Sequence, residues 1–400
     1  MHTSLVTKSP SRYRWDIFCR IVDNYGDIGV CWRLAKQLAN EHHLTVRLFV
    51  DLPEVAQQII SDLNTSDPKQ WLSGVEVYIW HDDLYVNETA DVVIEAFSCD
   101  LPERYIATIP LKINGMVDVK QSAMWLNLEY LSAEKWVGDF HAKPSTNPAT
   151  GLVKYFFFPG FNRATGGLLR ETDLIVRRDV FQADAVTQWQ FLRQLGVYSI
   201  SPVTIKISLF CYLHAPIISL LHVLSASNYP IVLFVPDSAI LKTILQWSGV
   251  DGSSFEANKV FKKGNLSIHI VPFLTQDDYD KLLWLCDLNF VRGEDSWVRA
   301  IWAARPFIWQ PYFQQESTHI LKLNAFLDDY CQQLNVTVTQ ALRDLSNIWL
   351  SPASSVDTLA SCWNNYVQQL EPYKTHAQIY TNQLARQADL ASKLVDFCNQ

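Results

Sequence analysis

A chain of 400 residues is longer than the roughly 250–300 residues one hydrophobic core usually serves, and 48% hydrophobic with 18% charged residues is a globular rather than a disordered composition. A net charge of -8 argues against the basic face that phosphate backbones require. The start, Met1 to Arg14, lacks an apolar export core, and no uncharged apolar run reaches the roughly 18 residues of a membrane span, so a cytoplasmic protein is expected.

Residues 15–22 read as a strand, 23–29 as a loop with Gly26 and Gly29, 30–41 as a helix and 45–50 as a second strand. That order opens a doubly wound α/β fold. Further strands are expected at 75–80, 92–96 and 111–114, with helices or turns at 53–60 and 101–108. Residues 138–170, with Pro144, Pro148, Phe156–Phe158, Phe161 and Gly166-Gly167, read as an extended loop carrying an aromatic cluster. A helix at 178–195 then precedes a second alternation. Its strands are expected at 203–212, 230–235, 266–271, 288–291 and 307–309, and its helices at 217–225, 239–246, 278–286 and 296–303. An amphipathic helix over 373–397 has no strand after it and is free to fold back on the first domain. The expected division is an N-terminal domain over 1–180, a C-terminal domain over 181–372, and the helix within 373–400 packing back on the first.

The eight cysteines (19, 31, 99, 211, 286, 331, 362 and 398) include no C-x-x-C pair and sit among large apolar residues. They read as buried, reduced thiols. No Cys or His cluster has zinc-ligand spacing, His42-His43 being the closest approach.

Two strand-to-helix corners stand out. Arg292-Gly-Glu-Asp-Ser296 follows a buried strand: glycine admits close backbone approach, Asp295 or Ser296 can cap the helix, and Arg292 suits a diphosphate. Its bland alternative is a capped helix with a surface ion pair. At 23–29 the spacing of the glycines lacks the full dinucleotide fingerprint, and no phosphate-loop pattern is present. Asp23 and Asp27 are the notable groups there. Asp27 can serve as a general base, or Asp23 and Asp27 can simply cap the next helix or close an Asx-turn, and the residues alone leave these readings even. Asp278-x-Asp280 offers a weak metal-pair pattern, but acids in a first helical turn complement the dipole without a metal. Phe273 and Tyr279 could sandwich a base with Gln276 at its polar edge, or be core aromatics.

Taken together, Val22-Asp-Asn-Tyr-Gly-Asp-Ile-Gly29, Trp125-Leu-Asn-Leu-Glu-Tyr-Leu-Ser-Ala-Glu134, Phe158-Pro-Gly-Phe161, Ser208-Leu-Phe-Cys-Tyr212 and Phe290-Val-Arg-Gly-Glu-Asp-Ser296 resemble the EarP family. The resemblance runs from about residue 15 to residue 397. It implies a GT-B glycosyltransferase fold of two facing Rossmann-like domains with an interdomain cleft, the N-terminal one for the acceptor and the C-terminal one for the nucleotide sugar. It further implies inverting, metal-independent transfer of rhamnose from dTDP-β-L-rhamnose to one arginine of elongation factor P, with no cofactor, nucleic acid or membrane. By motif, Asp27 matches the catalytic base, Asp23 its acidic partner and Glu294 the other active carboxylate. Phe210, Tyr212, Phe273, Gln276, Tyr279, Arg292, Asp295 and Ser296 match the nucleotide-sugar contacts. Tyr25 and Tyr279 stand at positions the family also fills with Phe. The competing classes are a nucleotide-sugar sensor that binds without turnover and a sugar-nucleotide epimerase with no protein acceptor.

Overall fold

Alternating apolar strands and amphipathic helices build two α/β units in a computed structural model, which describes residues 14–81, 86, 89–109, 123–148, 150–249, 260–314 and 317–400. The strand expected at 111–114 lies outside these residues. The first unit contains β1 (Arg14–Cys19), α1 (Tyr25–Asn40), β2 (Thr45–Val50), α2 (Pro53–Ile59), β3 (Lys69–Leu72), β4 (Val75–Ile79), β5 (Val92–Ala96), α3 (Glu103–Ile106), β6 (Met124–Leu128), α4 (Val137–Phe140), β7 (Lys143–Thr146) and β8 (Val153–Phe157). The second contains α5 (Leu174–Ala183), α6 (Ala185–Gln194), β9 (Ile205–Leu209), α7 (Ile217–Ser225), β10 (Ile231–Pro236), α8 (Leu241–Ser248), β11 (Val260–Lys263), β12 (Leu266–Val271), α9 (Gln276–Leu285), β13 (Leu288–Arg292), α10 (Asp295–Trp302) and β14 (Phe307–Gln310), then α11 (Thr318–Tyr330), α12 (Val336–Trp349), α13 (Val356–Val367) and α14 (Leu370–Leu384). The last helix, α15 (Leu390–Cys398), returns to the first unit.

The units divide after Thr172 and again after Arg386, not after residues 180 and 372. Hydrogen bonds of α5 explain the first shift. Buried Arg178 donates to the Trp302 carbonyl, and Gln182 donates to those of Trp284 and Ala303, all in the second unit. The stretch at 373–397 is two helices rather than one. Helix α14 stays with the second unit, where the Thr381 hydroxyl donates to the Ile301 carbonyl. Asp389 caps α15 through the Ser392 amide, and Leu390, Ala391 and Leu394 enter the first core.

In the first sheet the strand order is β3-β4-β2-β1-β5-β6-β8-β7, with β3 and β7 antiparallel edges. The chain runs outward from β1 through β2 and β4, then crosses to β5 on the other side. The second sheet repeats the scheme in the order β11-β12-β10-β9-β13-β14, running out through β10 and β12 before crossing to β13. Each sheet therefore has a switch point, between β1 and β5 and between β9 and β13, where loops at the carboxyl ends part to leave a crevice. Central strands are buried along their length, as a parallel sheet covered on both faces requires.

The extended loop expected over 138–170 contains a β-hairpin instead. Strand β7 pairs antiparallel with β8 from Lys143↔Phe156 to Thr146↔Val153. Pro144 obscures the strand pattern, yet an edge strand tolerates its missing N–H. Tyr155 and Phe157 of β8 pack against Phe397 of α15.

One charged network lies inside the first unit. Asp16 on β1 and Arg47 on β2 are register partners, and both are buried. Arg47 Nε and Nη2 each donate to the Asp16 carboxylate at 2.6 Å, and the Tyr105 hydroxyl donates to Oδ2 at 2.5 Å. Removing one partner from such a pair leaves a buried charge uncompensated. Arg47→Met is expected to cost about 3–5 kcal/mol in denaturant unfolding, and Asp16→Leu added to it to recover most of the loss.

Candidate functional site

At the switch point of the first unit, the chain leaves β1 at Cys19 and turns into α1. Asn24 takes a left-handed φ of 43°, and the Gly26 amide donates to the Asp23 carbonyl at 2.7 Å. Asp27, in the first turn of α1, is buried, and its Oδ2 accepts the Val22 and Asp23 amides, each at 2.8 Å. Asp27 does not cap α1, whose N-cap Asn24 has no side-chain cap bond; its carboxylate instead closes the turn that precedes the helix, next to the helix's positive end. Burial also raises its pKa above the ordinary carboxylate value, against the two amide bonds that lower it, with Asp51 adding to the rise. A carboxylate shifted in that direction is a better proton acceptor at neutral pH, so closing the turn and acting as a base are compatible. Asp23 beside it is half-buried.

Across the switch point, the turn after β5 holds three non-glycine residues in left-handed conformations: Phe97 at 57°, Ser98 at 55° and Asp100 at 54°. Each costs backbone energy, so the surroundings must impose them. The Phe97 amide donates to the Leu128 carbonyl, and the Ser98 amide to Asn127 Oδ1. Asn127, fully buried on β6, also donates to Ser98 Oγ at 3.1 Å and to Glu129 Oε1 at 2.5 Å. The Phe97 ring stacks on Tyr130 at 4.5 Å. This second wall of the crevice did not emerge from sequence reasoning. Its only local signal is Ser98 and Asp100 shortly after a buried strand.

In the second unit, the residues singled out at the carboxyl ends of β9 and β13 meet. Phe210 donates its amide to the Phe290 carbonyl at 3.0 Å, carrying the strand pairing one residue further. The Arg292 guanidinium lies 4.3 Å from the Phe210 ring centre and 4.5 Å from that of Tyr212. Phe210 in turn meets Tyr279 edge-on at 5.8 Å. Gly293, at a φ of 60°, donates its amide to the Gln310 carbonyl and accepts Trp309 Nε1 at 2.8 Å. A residue with φ in this range is one that glycine occupies at no steric cost.

Neither Asp295 nor Ser296 is the residue capping α10. Glu294 holds the N-cap position without a side-chain cap bond, and the Ser296 hydroxyl reaches back, accepting the Arg292 amide and donating to its carbonyl. Ser296 thus fixes the turn that aims Arg292. Gln310, fully buried and not anticipated, ties the same corner from β14: its Oε1 accepts the Tyr212 amide at 2.8 Å.

Phe273 and Gln276 lie where β12 passes into α9, Phe273 half-buried and Gln276 buried. Thr275 caps α9 through the Asp278 amide. Asp278 pairs with Lys281 at 2.8 Å, while Asp280 is buried against Arg299, so these two acids serve the helix rather than a shared ion. Among the described residues no group of three or more His, Cys, Asp and Glu side chains is placed to hold a metal.

A family model described as Elongation-Factor P (EF-P) rhamnosyltransferase EarP matches residues 15–399. The protein-arginine rhamnosyltransferase of Pseudomonas aeruginosa is 44% identical over 383 residues, covering 96% of this chain and 98% of that protein. The protein of the same name from Shewanella oneidensis is 36% identical over 398 residues, covering 98% and 99%. A solved structure described as the structural basis for EarP-mediated arginine glycosylation of translation elongation factor EF-P matches with a TM-score of 0.66 at 34% identity, over 96% of this chain and 98% of that one. At 8% identity, a ugt transferase from Siraitia grosvenorii in complex with UDP matches with a TM-score of 0.50 over 97% and 100% of the two chains, a likeness of fold. The α/β fold is accordingly of the GT-B glycosyltransferase class.

The tight turn before α1 generates a prediction of its own. A Cβ on Gly26 would lie 2.8 Å from Asp23 Oδ2, the mobile end of a side chain. Gly26→Ala is expected to cost about 1 kcal/mol or less in thermal unfolding, yet to displace the Asp23 carboxylate, as a crystal structure of the variant would reveal.

Proposed function

The chain belongs to the EarP family of elongation factor P rhamnosyltransferases, and we propose that it moves L-rhamnose from dTDP-β-L-rhamnose to an arginine of elongation factor P, with inversion and without a metal. The observation that carries the reading is the Arg292 corner. A guanidinium rests on two aromatic rings at the head of α10, beside backbone amides whose dipoles favour an anion.

On this reading, Arg292, Asp295, Ser296 and the start of α10 bind the donor's diphosphate and sugar. Phe210, Tyr212, Phe273, Gln276 and Tyr279 supply rings and an amide for the base and ribose. The first unit takes the acceptor. An arginine side chain is protonated at any physiological pH, so its nitrogen is a poor nucleophile until charge is withdrawn from the delocalised cation. Asp27, with Asp23 beside it, orients the guanidinium and accepts its proton while the new C–N bond forms. The bond from the anomeric carbon to the diphosphate oxygen breaks, and the electron pair leaves with dTDP, whose charge Arg292 and the α10 amides stabilise. Glu294, at the N-cap of α10, is assigned to the sugar as it acquires positive charge. An acceptor that serves translation places the reaction in the cytoplasm.

Incubation with dTDP-rhamnose and elongation factor P is expected to add one deoxyhexose to one arginine, read by intact mass and peptide sequencing. Donor binding without any modification would identify a sensor, and donor consumption without a modified protein an epimerase.

Asp27→Asn is expected to fold and to bind dTDP-rhamnose with wild-type affinity while losing transfer, since its amide oxygen can still accept the Val22 and Asp23 amides. Wild-type turnover in that variant would remove Asp27 from the mechanism. Because burial raises the Asp27 pKa, the rate falls as pH drops through a value above the ordinary carboxylate range, where the protonated group no longer accepts a proton. The acidic limb of the kcat/KM profile for the acceptor, which reports the free enzyme, measures this. Arg292→Ala is expected to weaken donor binding about 10- to 100-fold, the order of one charge-assisted contact, with the acceptor KM unchanged.

A further inference from the structure

Asp280 and Arg299, the buried pair already met between α9 and α10, are assigned no role in the proposed transfer. Arg299 Nε donates to Asp280 Oδ1 at 2.9 Å and its Nη2 to Oδ2 at 2.5 Å, a two-point fork between α10 and α9. On α9, Asp280 stands four residues after Gln276; on α10, Arg299 stands four residues after Asp295. Residues four apart share a helix face, so the ion pair joins the two helices one turn below the ends that carry Gln276 and Asp295.

We propose that the Arg299–Asp280 pair is the positioning device of the donor site, fixing the first turns of α9 and α10 against each other and neutralising a buried carboxylate beneath the diphosphate. The proposal rests on the donor assignment above. A buried ion pair is seldom the most stable way to fill such a space, because both charges surrender their hydration. Apolar side chains of similar volume would pack the two helices together without fixing an angle or a register. A guanidinium–carboxylate fork permits only a narrow range of both. The charge also reaches the site: Asp280 acts on the buried Tyr279 phenol, the neighbour of Phe210, as do Asp295 and Arg292. An Asp280 carboxylate without its cation would oppose an incoming diphosphate. The other face of α10 is held by Trp297, stacked on Trp309 at 3.5 Å, so the helix itself remains seated when the fork is changed.

The test is calorimetric titration of the full-length protein with dTDP, together with donor and acceptor KM and the melting temperature. Arg299→Lys keeps the charge and loses the fork. It is expected to fold and to raise the Kd for dTDP and the donor KM about tenfold, leaving the acceptor KM unchanged. The double variant Arg299→Met/Asp280→Leu is expected to melt near the wild type and to show the same weakening, whereas Arg299→Met alone is weaker still because Asp280 is then uncompensated. Wild-type affinity for dTDP in Arg299→Lys overturns the proposal, as does an equal rise in donor and acceptor KM that follows the melting temperature. Should the double variant fail to fold, Arg299→Lys decides. A wild-type protein that binds no dTDP overturns the donor assignment as well, which separates that failure from a failure of positioning alone.

Discussion

The pairing of β9 with β13 is the constraint on which the second unit's site depends. Its register sets Phe290 opposite Leu209, and the next amide bond, from Phe210 to Phe290, keeps the two chains together as they leave the sheet. Phe210 and Arg292 consequently emerge side by side, and a cation comes to rest on an aromatic face. A shift by one residue would turn each side chain to the opposite face of the sheet and undo the arrangement. The backbone ladder thus performs the first act of recognition, before any ligand contact. Gly293, Ser296 and Gln310 then hold the emerging corner in place.

Buried charge is used in the same way in both units. Asp16 with Arg47 joins two adjacent strands, and Asp280 with Arg299 joins two adjacent helices, each through two hydrogen bonds. Neither pair needs to add much to net stability to matter, since the desolvation of two ions offsets most of their attraction. Their contribution is to make the native arrangement more specific than its near neighbours. In the first unit the pair lies within the sheet core. In the second it lies one turn beneath residues proposed to touch the donor, where a small change in helix angle is felt at the ligand.

Much of this was legible in the sequence because parallel sheets write themselves as apolar runs between turn signals. The strands at 45–50, 92–96, 266–271 and 288–291 are such runs, and the corner that follows the last carries its glycine and acids in the open. The β7–β8 hairpin was less legible, since Pro144 and Pro148 break up the first strand and the run from Val153 to Phe157 has no clear alternation. The break between α14 and α15 has no proline or glycine to announce it; an Asp389 cap makes it. The strained turn at Phe97–Asp100 was hidden for a different reason. Its residue types are unremarkable, and the left-handed conformations come from Asn127 and Leu128, some thirty residues on along the chain. Gln310 was hidden likewise, being a polar residue at the end of an apolar strand whose partner is a backbone amide of another loop. Local chemistry can be read from a string of letters, whereas a polar residue serving a distant backbone cannot.

The proposed chemistry divides its two charged substrates between the two switch points. A nucleoside diphosphate sugar is an anion and an arginine side chain is a cation. The second unit presents Arg292 and the positive end of α10, with Glu294 and Asp295 beside them, while the first presents Asp27 and Asp23 at the start of α1. The raised pKa of Asp27 sharpens this division. Burial makes the carboxylate costly to keep charged in isolation, and on the proposed reading a guanidinium brought against it would lower that cost. A histidine in the same place would gain no such advantage, since a neighbouring cation would hold it neutral and leave nothing to attract the arginine. The carboxylate is a side chain that both attracts the acceptor's cation and can take its proton.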